Sequence, residues 1–175
     1  MKSVIVYYSK TGFTKRYADW IAEELHCDVI PYKDFMKGAA DVNATVIFGS
    51  RVHAGRIHHL NNVKARMSGN LIVFAIGATP ASAENVIHKI WADNLTETEL
   101  NSIPHFYMPG GLDYSKMGFS DRAIMKIVAK LMKGKKDKTE DETGFGQAIQ
   151  DSYDISSREA IEPLVNFVRA KESSI

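Results

Sequence analysis

Short apolar runs of β-strand length alternate along this chain with segments whose apolar residues recur at helical spacing. The runs predict five strands, over residues 2–8, 28–32, 44–48, 71–76 and 103–108. The helical segments are 13–25, 60–68, 82–92 and a C-terminal helix that ends near residue 170. This alternation predicts an α/β fold with a parallel sheet, because each helix carries the chain back across one face of the sheet.

Two signals compete for the start of the C-terminal helix. Ser156 and Glu159 have the spacing of a capping box. Pro163 fits poorly in the middle of a helix that begins there, because proline lacks the N–H that an interior position needs. The regular helix therefore begins either at the capping box or near Pro163.

The turns that follow the first, third and fourth predicted strands are rich in small and polar residues. They span residues 9–14, 49–56 and 77–80. Ligands of doubly wound sheets bind where the carboxyl ends of the strands meet, so these turns predict one ligand site. No internal repeat or low-complexity linker divides the sequence, and we expect residues 1–175 to form a single domain.

The composition is that of a globular protein in a reducing compartment. Of the 175 residues, 45% are hydrophobic and 25% are charged, which argues against a disordered chain. Cys27 is the single cysteine, which excludes a disulfide framework and suits a small buried residue. No apolar run approaches the roughly 20 residues that span a bilayer, and the N-terminus resembles a strand rather than a signal peptide. We expect a cytoplasmic protein.

Positive charge is concentrated in one segment. The net charge is +1, yet residues 116–138 contain eight Lys or Arg and two Asp or Glu. They belong to an insert, at about 110–147, between the fifth strand and the last helix. A basic amphipathic helix is predicted over 122–136. Its apolar stripe is Ile124, Ile127, Val128 and Leu131, and its basic stripe is Arg122, Lys126, Lys130 and Lys133.

This basic helix has two interpretations. Its apolar stripe either packs on the sheet or lies on an anionic membrane surface, which would place the protein peripherally at the inner face of the membrane. Nucleic-acid binding is not expected, because no helix-turn-helix, zinc or base-stacking motif accompanies the basic residues.

The segment SKTGFT, residues 9–14, joins the first strand to the first helix. A helix N-terminus offers free backbone N–H groups to an anion, and the hydroxyls of Ser9, Thr11 and Thr14 add donors. Gly12 permits a close backbone approach. The segment matches neither the GxxxxGKS/T loop of nucleoside triphosphate sites nor the GxGxxG loop of dinucleotide sites. It predicts a phosphate site of another kind; the alternative is an ordinary turn with a hydroxyl cap.

The pattern S/T-x-T-G-x-T directly after the first strand resembles the phosphate loop of the flavodoxin family. This resemblance implies a flavodoxin-like, three-layer, doubly wound fold with five parallel strands in the order 2-1-3-4-5. It also implies FMN as the cofactor, with three loops around it. The expected phosphate-loop residues are Ser9, Lys10, Thr11, Gly12, Phe13 and Thr14. The expected ring-loop residues are Ser50, Arg51, Val52, His53, Ala54, Gly55, Gly77, Ala78 and Thr79.

The ring loops depart from the family pattern. Many flavodoxins carry a ring-stacking tryptophan in the loop after the third strand, but residues 49–59 contain none, and His53 is the nearest planar side chain. The 77–80 loop also lacks an aromatic residue. Gly55 would permit the backbone movement that brings a peptide group to the flavin N5 atom.

His53, His58 and His59 lie close together in the sequence. No carboxylate or cysteine accompanies them to complete a ligand set, so no metal site is predicted. A solvated role or a place at the flavin edge fits them better. Arg51 or Arg56 is a candidate contact for an anionic substrate.

The insert is similar to that of flavodoxin-domain proteins of the menaquinone-dependent protoporphyrinogen dehydrogenase type. The matching residues are His58, Gly110, Gly111, Asp113 or its neighbour Tyr114, Asp121 and Arg122. The resemblance implies an FMN-dependent oxidoreductase that passes electrons to a quinone or a redox partner protein. The alternative is a flavodoxin-type electron carrier. Carriers of the family are strongly acidic, whereas this chain is near neutral, which favours the enzyme.

No catalytic side chain is required by this interpretation, because the flavin carries the chemistry. The proton that accompanies a hydride transfer at N5 would come from water, Tyr114 or His53.

Overall fold

The computed structural model describes residues 3–41, 43–119, 122–123 and 151–173. The strands are β1 (Ser3–Tyr8), β2 (Asp28–Pro31), β3 (Thr45–His53), β4 (Arg56–Ile57), β5 (Leu71–Gly77), β6 (His105–Pro109), β7 (Gly111–Leu112) and β8 (Tyr153–Asp154). The helices are α1 (Phe13–Leu25), α2 (Tyr32–Met36), α3 (Leu60–Arg66), α4 (Glu84–Asn94), α5 (Glu97–Ser102) and α6 (Glu162–Glu172).

Five parallel strands form the central sheet in the order β2-β1-β3-β5-β6. Since β4 is a short antiparallel addition to β3, this is the predicted order 2-1-3-4-5, and the α/β fold prediction is confirmed. A separate antiparallel pair, β7 with β8, lies beyond β6 in the chain. The carboxyl ends of β1, β3, β5 and β6 consequently meet at one edge of the sheet.

Helices cover both faces of the sheet, and each face has its own core. One core contains Tyr17 and Ile21 of α1 and Leu164 of α6. The other contains Leu60 of α3 and Trp91 of α4. The central strands are apolar along both faces because neither face meets water.

The third strand extends further than the sequence predicts. Residues 49–53, expected in a turn, continue β3, with Ser50 and Arg51 opposite Ala75 and Ile76 of β5. Tertiary pairing overrides the weak strand propensity of Gly and Ser here, since β5 supplies the hydrogen bonds. Gly49 is needed for packing, because a Cβ there would lie 1.9 Å from the Phe74 ring.

The helices differ from the prediction mainly at their ends. The capping box expected at Ser156 does not form; a 3₁₀ turn (Arg158–Ile161) precedes α6, which has its proline in the first turn. The alternative start near Pro163 is therefore correct. Ser82 was expected to cap α4, but the residue at the N-cap position is Ala83, whose side chain makes no capping hydrogen bond. The short elements α2, α5, β4, β7 and β8 were not predicted.

Much of the predicted insert cannot be compared with the structure. Residues 120–121 and 124–150 lie outside the described residues, and with them most of the basic helix predicted over 122–136. The division into one domain over 1–175 also stays a prediction. Within the described ranges, no helix combines the length and the apolar character needed to cross a bilayer.

Candidate functional site

A cleft of about 280 Å³ lies at the carboxyl edge of the sheet, where the predicted loops meet. Its lining includes most of the expected cofactor residues: Lys10, Thr11, Phe13, Thr14, Arg51, Val52, His53, Ala54, Gly55, Gly77, Ala78 and Thr79. Ser9, Gly12 and Ser50 are not part of the lining. The Ser50 side chain is fully buried, and its hydroxyl donates to the His58 carbonyl at 2.8 Å.

The N-terminus of α1 opens beside this cleft. Gly12, at φ 100°, turns the chain into the helix, and no side chain caps the first turn. The Gly12 N–H donates to Ser9 Oγ at 3.1 Å, and the helical ladder begins with Arg16 N–H on the Gly12 carbonyl at 3.0 Å. The first N–H groups of a helix have no partner within the helix. Together with the threonine hydroxyls they form a donor set that suits a phosphate.

Two partly buried tyrosines fix the loop that follows β5. Tyr107 donates its hydroxyl to the Thr79 carbonyl at 2.8 Å, and Tyr153 donates to the Ala78 carbonyl at 2.7 Å. Burial raises the pKa of Tyr153 to about 12 and also raises the pKa of Tyr107. Both phenols are therefore protonated donors at neutral pH. Sequence reasoning missed them, because each lies far along the chain from the carbonyl that it binds.

The turn between β3 and β4 is held by the C-terminal end of α4. Ala54 and Gly55 both have positive φ, 49° and 76°, as a tight two-residue hairpin turn requires. The Asn94 amide donates to the Gly55 carbonyl at 2.7 Å and to the Ile90 carbonyl at 2.7 Å. Arg56 also donates to the Asp93 carbonyl. The turn thus presents His53, Ala54 and Gly55 to the cleft.

The histidines join an aromatic cluster beside the cleft. His58 stacks on Tyr8 with ring centroids 5.7 Å apart, and His59 stacks on Tyr32 at 4.2 Å. Burial lowers the pKa of His59, which favours its neutral form. His53, which lines the cleft, lies 5.5 Å from His58. In the described part of the chain, no three His, Cys, Asp or Glu side chains are placed to hold a metal ion.

The start of the insert forms another wall of the cleft. Gly111, Leu112 and Met117 are among the lining residues. The β7–β8 pair holds this wall, because Gly111 lies opposite Asp154, and the Arg16 guanidinium of α1 bonds the Asp154 carboxylate at 2.6 Å. The proposed proton donor Tyr114 is not part of the lining; its N–H donates to Ser152 Oγ at 3.0 Å.

The apolar side of the cleft was missed from the sequence. Its residues are Ile76, Val86, Ile90, Leu112 and Met117. They come from β5, α4, β7 and the segment after β7, so only the fold brings them together. Neither tryptophan lines the cleft: Trp20 packs edge-on against Tyr17, and Trp91 is buried against His105.

A comparison with known families decides the relationship that the loop pattern suggested. The profile described as the flavodoxin domain matches residues 4–139, well over half of the chain. The chain belongs to the flavodoxin domain family. No curated protein matches it.

Several solved structures are similar to this flavodoxin-domain protein. One, assigned as a flavoprotein of Bacteroides uniformis, is 13% identical with a TM-score of 0.42, covering 71% of this chain and 97% of that one. A flavodoxin from the domain Archaea is 16% identical with a TM-score of 0.36, covering 75% and 99%. The WrbA-like flavodoxin of Agrobacterium tumefaciens is 14% identical with a TM-score of 0.37, covering 85% and 94%.

Family membership confirms the prediction of a flavin cofactor, FMN. The residues of the cleft fit this group, since they place the uncapped N-terminus of α1 and an apolar surface in the same cavity. When bound, FMN supplies redox chemistry at its ring, and the protein supplies binding, orientation and electrostatics.

Proposed function

We propose that this protein is an FMN-dependent oxidoreductase with its cofactor in the cleft at the carboxyl edge of the sheet. The first-turn N–H groups of α1 and the hydroxyls of Thr11 and Thr14 would hold the phosphate. Residues 51–55 and 77–79 would border the ring. One observation carries the proposal: an uncapped helix N-terminus and an apolar surface share one cleft, and FMN joins a phosphate to a flat ring.

The charges in the cleft favour an anionic substrate in addition to the cofactor. Lys10 and Arg51 line the cleft, and none of its lining residues within the described ranges is Asp or Glu. The positive end of α1 acts in the same direction. A guanidinium is well suited to a substrate carboxylate, which it can bind through two parallel hydrogen bonds.

The part of the insert that lines the cleft favours an enzyme over an electron carrier. Leu112 and Met117 add a wall beyond the three loops that the sequence predicted. A carrier needs an exposed flavin edge for docking, whereas a walled cleft selects a small molecule. The net charge of +1 agrees, because a strongly acidic surface for basic partners is absent from the sequence.

The specific reaction that we propose within this class is quinone-linked oxidation of a protoporphyrinogen-type substrate. It is supported by the resemblance of the insert, from Gly110 to Arg122, to proteins of that type. The tetrapyrrole would lose paired electrons and protons, and the quinone would gain the same number of each as it becomes a quinol. A lipid-soluble quinone is consistent with a basic helix over 122–136 that lies on an anionic membrane surface.

The phosphate assignment is tested by titrating apoprotein with FMN and with riboflavin, which lacks the phosphate. The double variant Thr11→Ala/Thr14→Ala should weaken FMN binding by about tenfold or more, since charge-assisted hydrogen bonds are lost. Riboflavin binding should change little. Thr98→Ala, at an exposed position of α5, is the matched control. Equal losses for both flavins would refute the assignment.

Enzyme and carrier are separated by turnover measurements on the FMN-loaded protein. We expect oxidation of a protoporphyrinogen analogue with reduction of a menaquinone analogue. Rapid electron exchange with a ferredoxin-type protein, without turnover of either small molecule, would instead identify a carrier. Binding to anionic vesicles that is unchanged when the basic residues of 122–136 are neutralised would reject the membrane contact.

A further inference from the structure

The flavin ring needs a cover that the expected aromatic residue does not provide. Within the described residues, only Phe13 and His53 bring an aromatic ring to the lining of the cleft. Phe13 is buried in the core, with the Arg16 guanidinium over its ring. His53 instead neighbours the His58 ring. The place that a tryptophan holds in many flavodoxins is therefore open to a different side chain.

Met117 is the last residue along the chain among those that the insert contributes to the lining of the cleft. A thioether is polarisable and forms favourable contacts with aromatic rings, while its flexible chain adapts to a flat surface. It enters the cleft from the chain that follows β7, whereas His53, Ala54 and Gly55 enter from the β3–β4 turn. The flavin ring would thus meet side chains from two separate segments.

A network of hydrogen bonds holds Met117 in place. Its N–H donates to the Asp113 carbonyl at 3.1 Å, and its own carbonyl accepts from Arg122 Nε at 3.1 Å. The Asp113 carboxylate accepts from the Ser115 N–H at 3.0 Å and pairs with Lys116 Nζ at 3.1 Å. The backbone of Met117 is hydrogen-bonded through both its N–H and its carbonyl, so a structured turn holds this residue at the lining of the cleft.

We propose that Met117 covers the isoalloxazine ring of the cofactor, in the role that a stacking aromatic residue has in many flavodoxins. This inference rests on the proposed FMN site and adds a ring contact from the insert. Asp113 and Arg122 act as positioning residues, because they fix the backbone of Met117. The insert then contributes a contact to the flavin in addition to forming a wall of the cleft that would contain the substrate.

The test compares FMN and riboflavin affinities of apoprotein variants, together with the visible spectrum of the bound flavin. Met117→Ala should weaken both flavins by the same factor, about tenfold, because the ring is common to both and sulfur–aromatic and apolar contacts are lost. The absorption bands should move toward those of free FMN. Met117→Leu, which keeps an apolar side chain of similar volume, should restore most of the affinity.

Two further variants make the result specific. Arg122→Leu removes the donor to the Met117 carbonyl, so we expect it to weaken both flavins by a smaller, equal factor. Met67→Ala, at the C-terminal end of α3, should leave both affinities unchanged, because Met67 packs against a core and is not part of the cleft lining. Unchanged affinities in Met117→Ala, or a loss confined to FMN, would overturn the inference while leaving the cofactor site intact. Failure of the wild-type chain to bind either flavin would overturn both.

Discussion

Gly77 and Tyr107 form a pair whose coupling can be worked out from the structure. An alanine Cβ at Gly77 would lie 2.4 Å from the Tyr107 hydroxyl oxygen, 3.0 Å from Cε2 and 3.1 Å from Cζ. The hydroxyl must move by about 1 Å to restore an ordinary contact of 3.4 Å. That movement breaks its 2.8 Å bond to the Thr79 carbonyl. Gly77→Ala should therefore cost about 2–3 kcal/mol of folding free energy, from a lost, partly buried hydrogen bond and overpacking.

Tyr107→Phe removes the same hydrogen bond and the worst overlap at once. Alone it should cost about 1–2 kcal/mol, because the Thr79 carbonyl loses its donor. In the double variant the bond cannot be lost a second time, and the remaining overlaps, at 3.0 and 3.1 Å, are relieved by small ring shifts. The double variant should therefore be more stable than the sum of the single effects predicts, by about 1 kcal/mol or more.

Urea unfolding of the four proteins, followed by circular dichroism, measures this coupling. The free energy of unfolding should fall with urea concentration at the same slope in all four proteins, so that differences in the unfolding midpoint report differences in stability. FMN affinity should fall in both single variants, because Gly77 and Thr79 line the cleft. Additivity of the two stability changes within about 0.5 kcal/mol would refute the reasoning.

Two further predictions concern hydroxyl groups near the cleft. Ser50→Ala should lower stability by about 1–2 kcal/mol in urea unfolding, since it removes the buried donor to the His58 carbonyl, while FMN affinity changes by less than about threefold. A large loss of affinity in a stably folded variant would contradict that placement. Tyr153→Phe should be less stable than wild type below pH 10. The difference in their free energies of unfolding should narrow as the pH rises toward 12. The reason is that the raised pKa of Tyr153 contributes stability which is lost as the phenol ionises. A stability difference independent of pH would argue against a partly buried phenol that stays protonated in the folded protein.

The alternation of strands and helices and the 9–14 loop were predictable because their signals are local. Apolar runs of strand length and the helical period of α1 depend on neighbouring residues, and the order of the sheet follows from right-handed crossovers and the family resemblance. The residues SKTGFT meet the requirement of a helix N-terminus for small and hydroxyl-bearing residues within six positions. Hence the fold class, the cofactor and the edge of the sheet at which the cleft lies were accessible without coordinates.

The composition of the cleft depended on contacts between distant residues. Tyr107 and Tyr153 bind carbonyls that lie 28 and 75 residues earlier in the chain, and no local pattern encodes such a pairing. Ser50 has the small polar side chain expected of a binding loop, but β3 continues through it and turns its hydroxyl toward His58.

Sequence alone determined that this chain builds a flavodoxin-like sheet with a hydroxyl-rich loop between its first strand and its first helix. The tertiary structure decided which side chains meet at the carboxyl edge, and so placed Met117 of the insert in the lining of the cleft. The physical reason is that a strand or helix forms from interactions a few residues apart, whereas a cavity is enclosed by segments that only the packing of the whole sheet brings together.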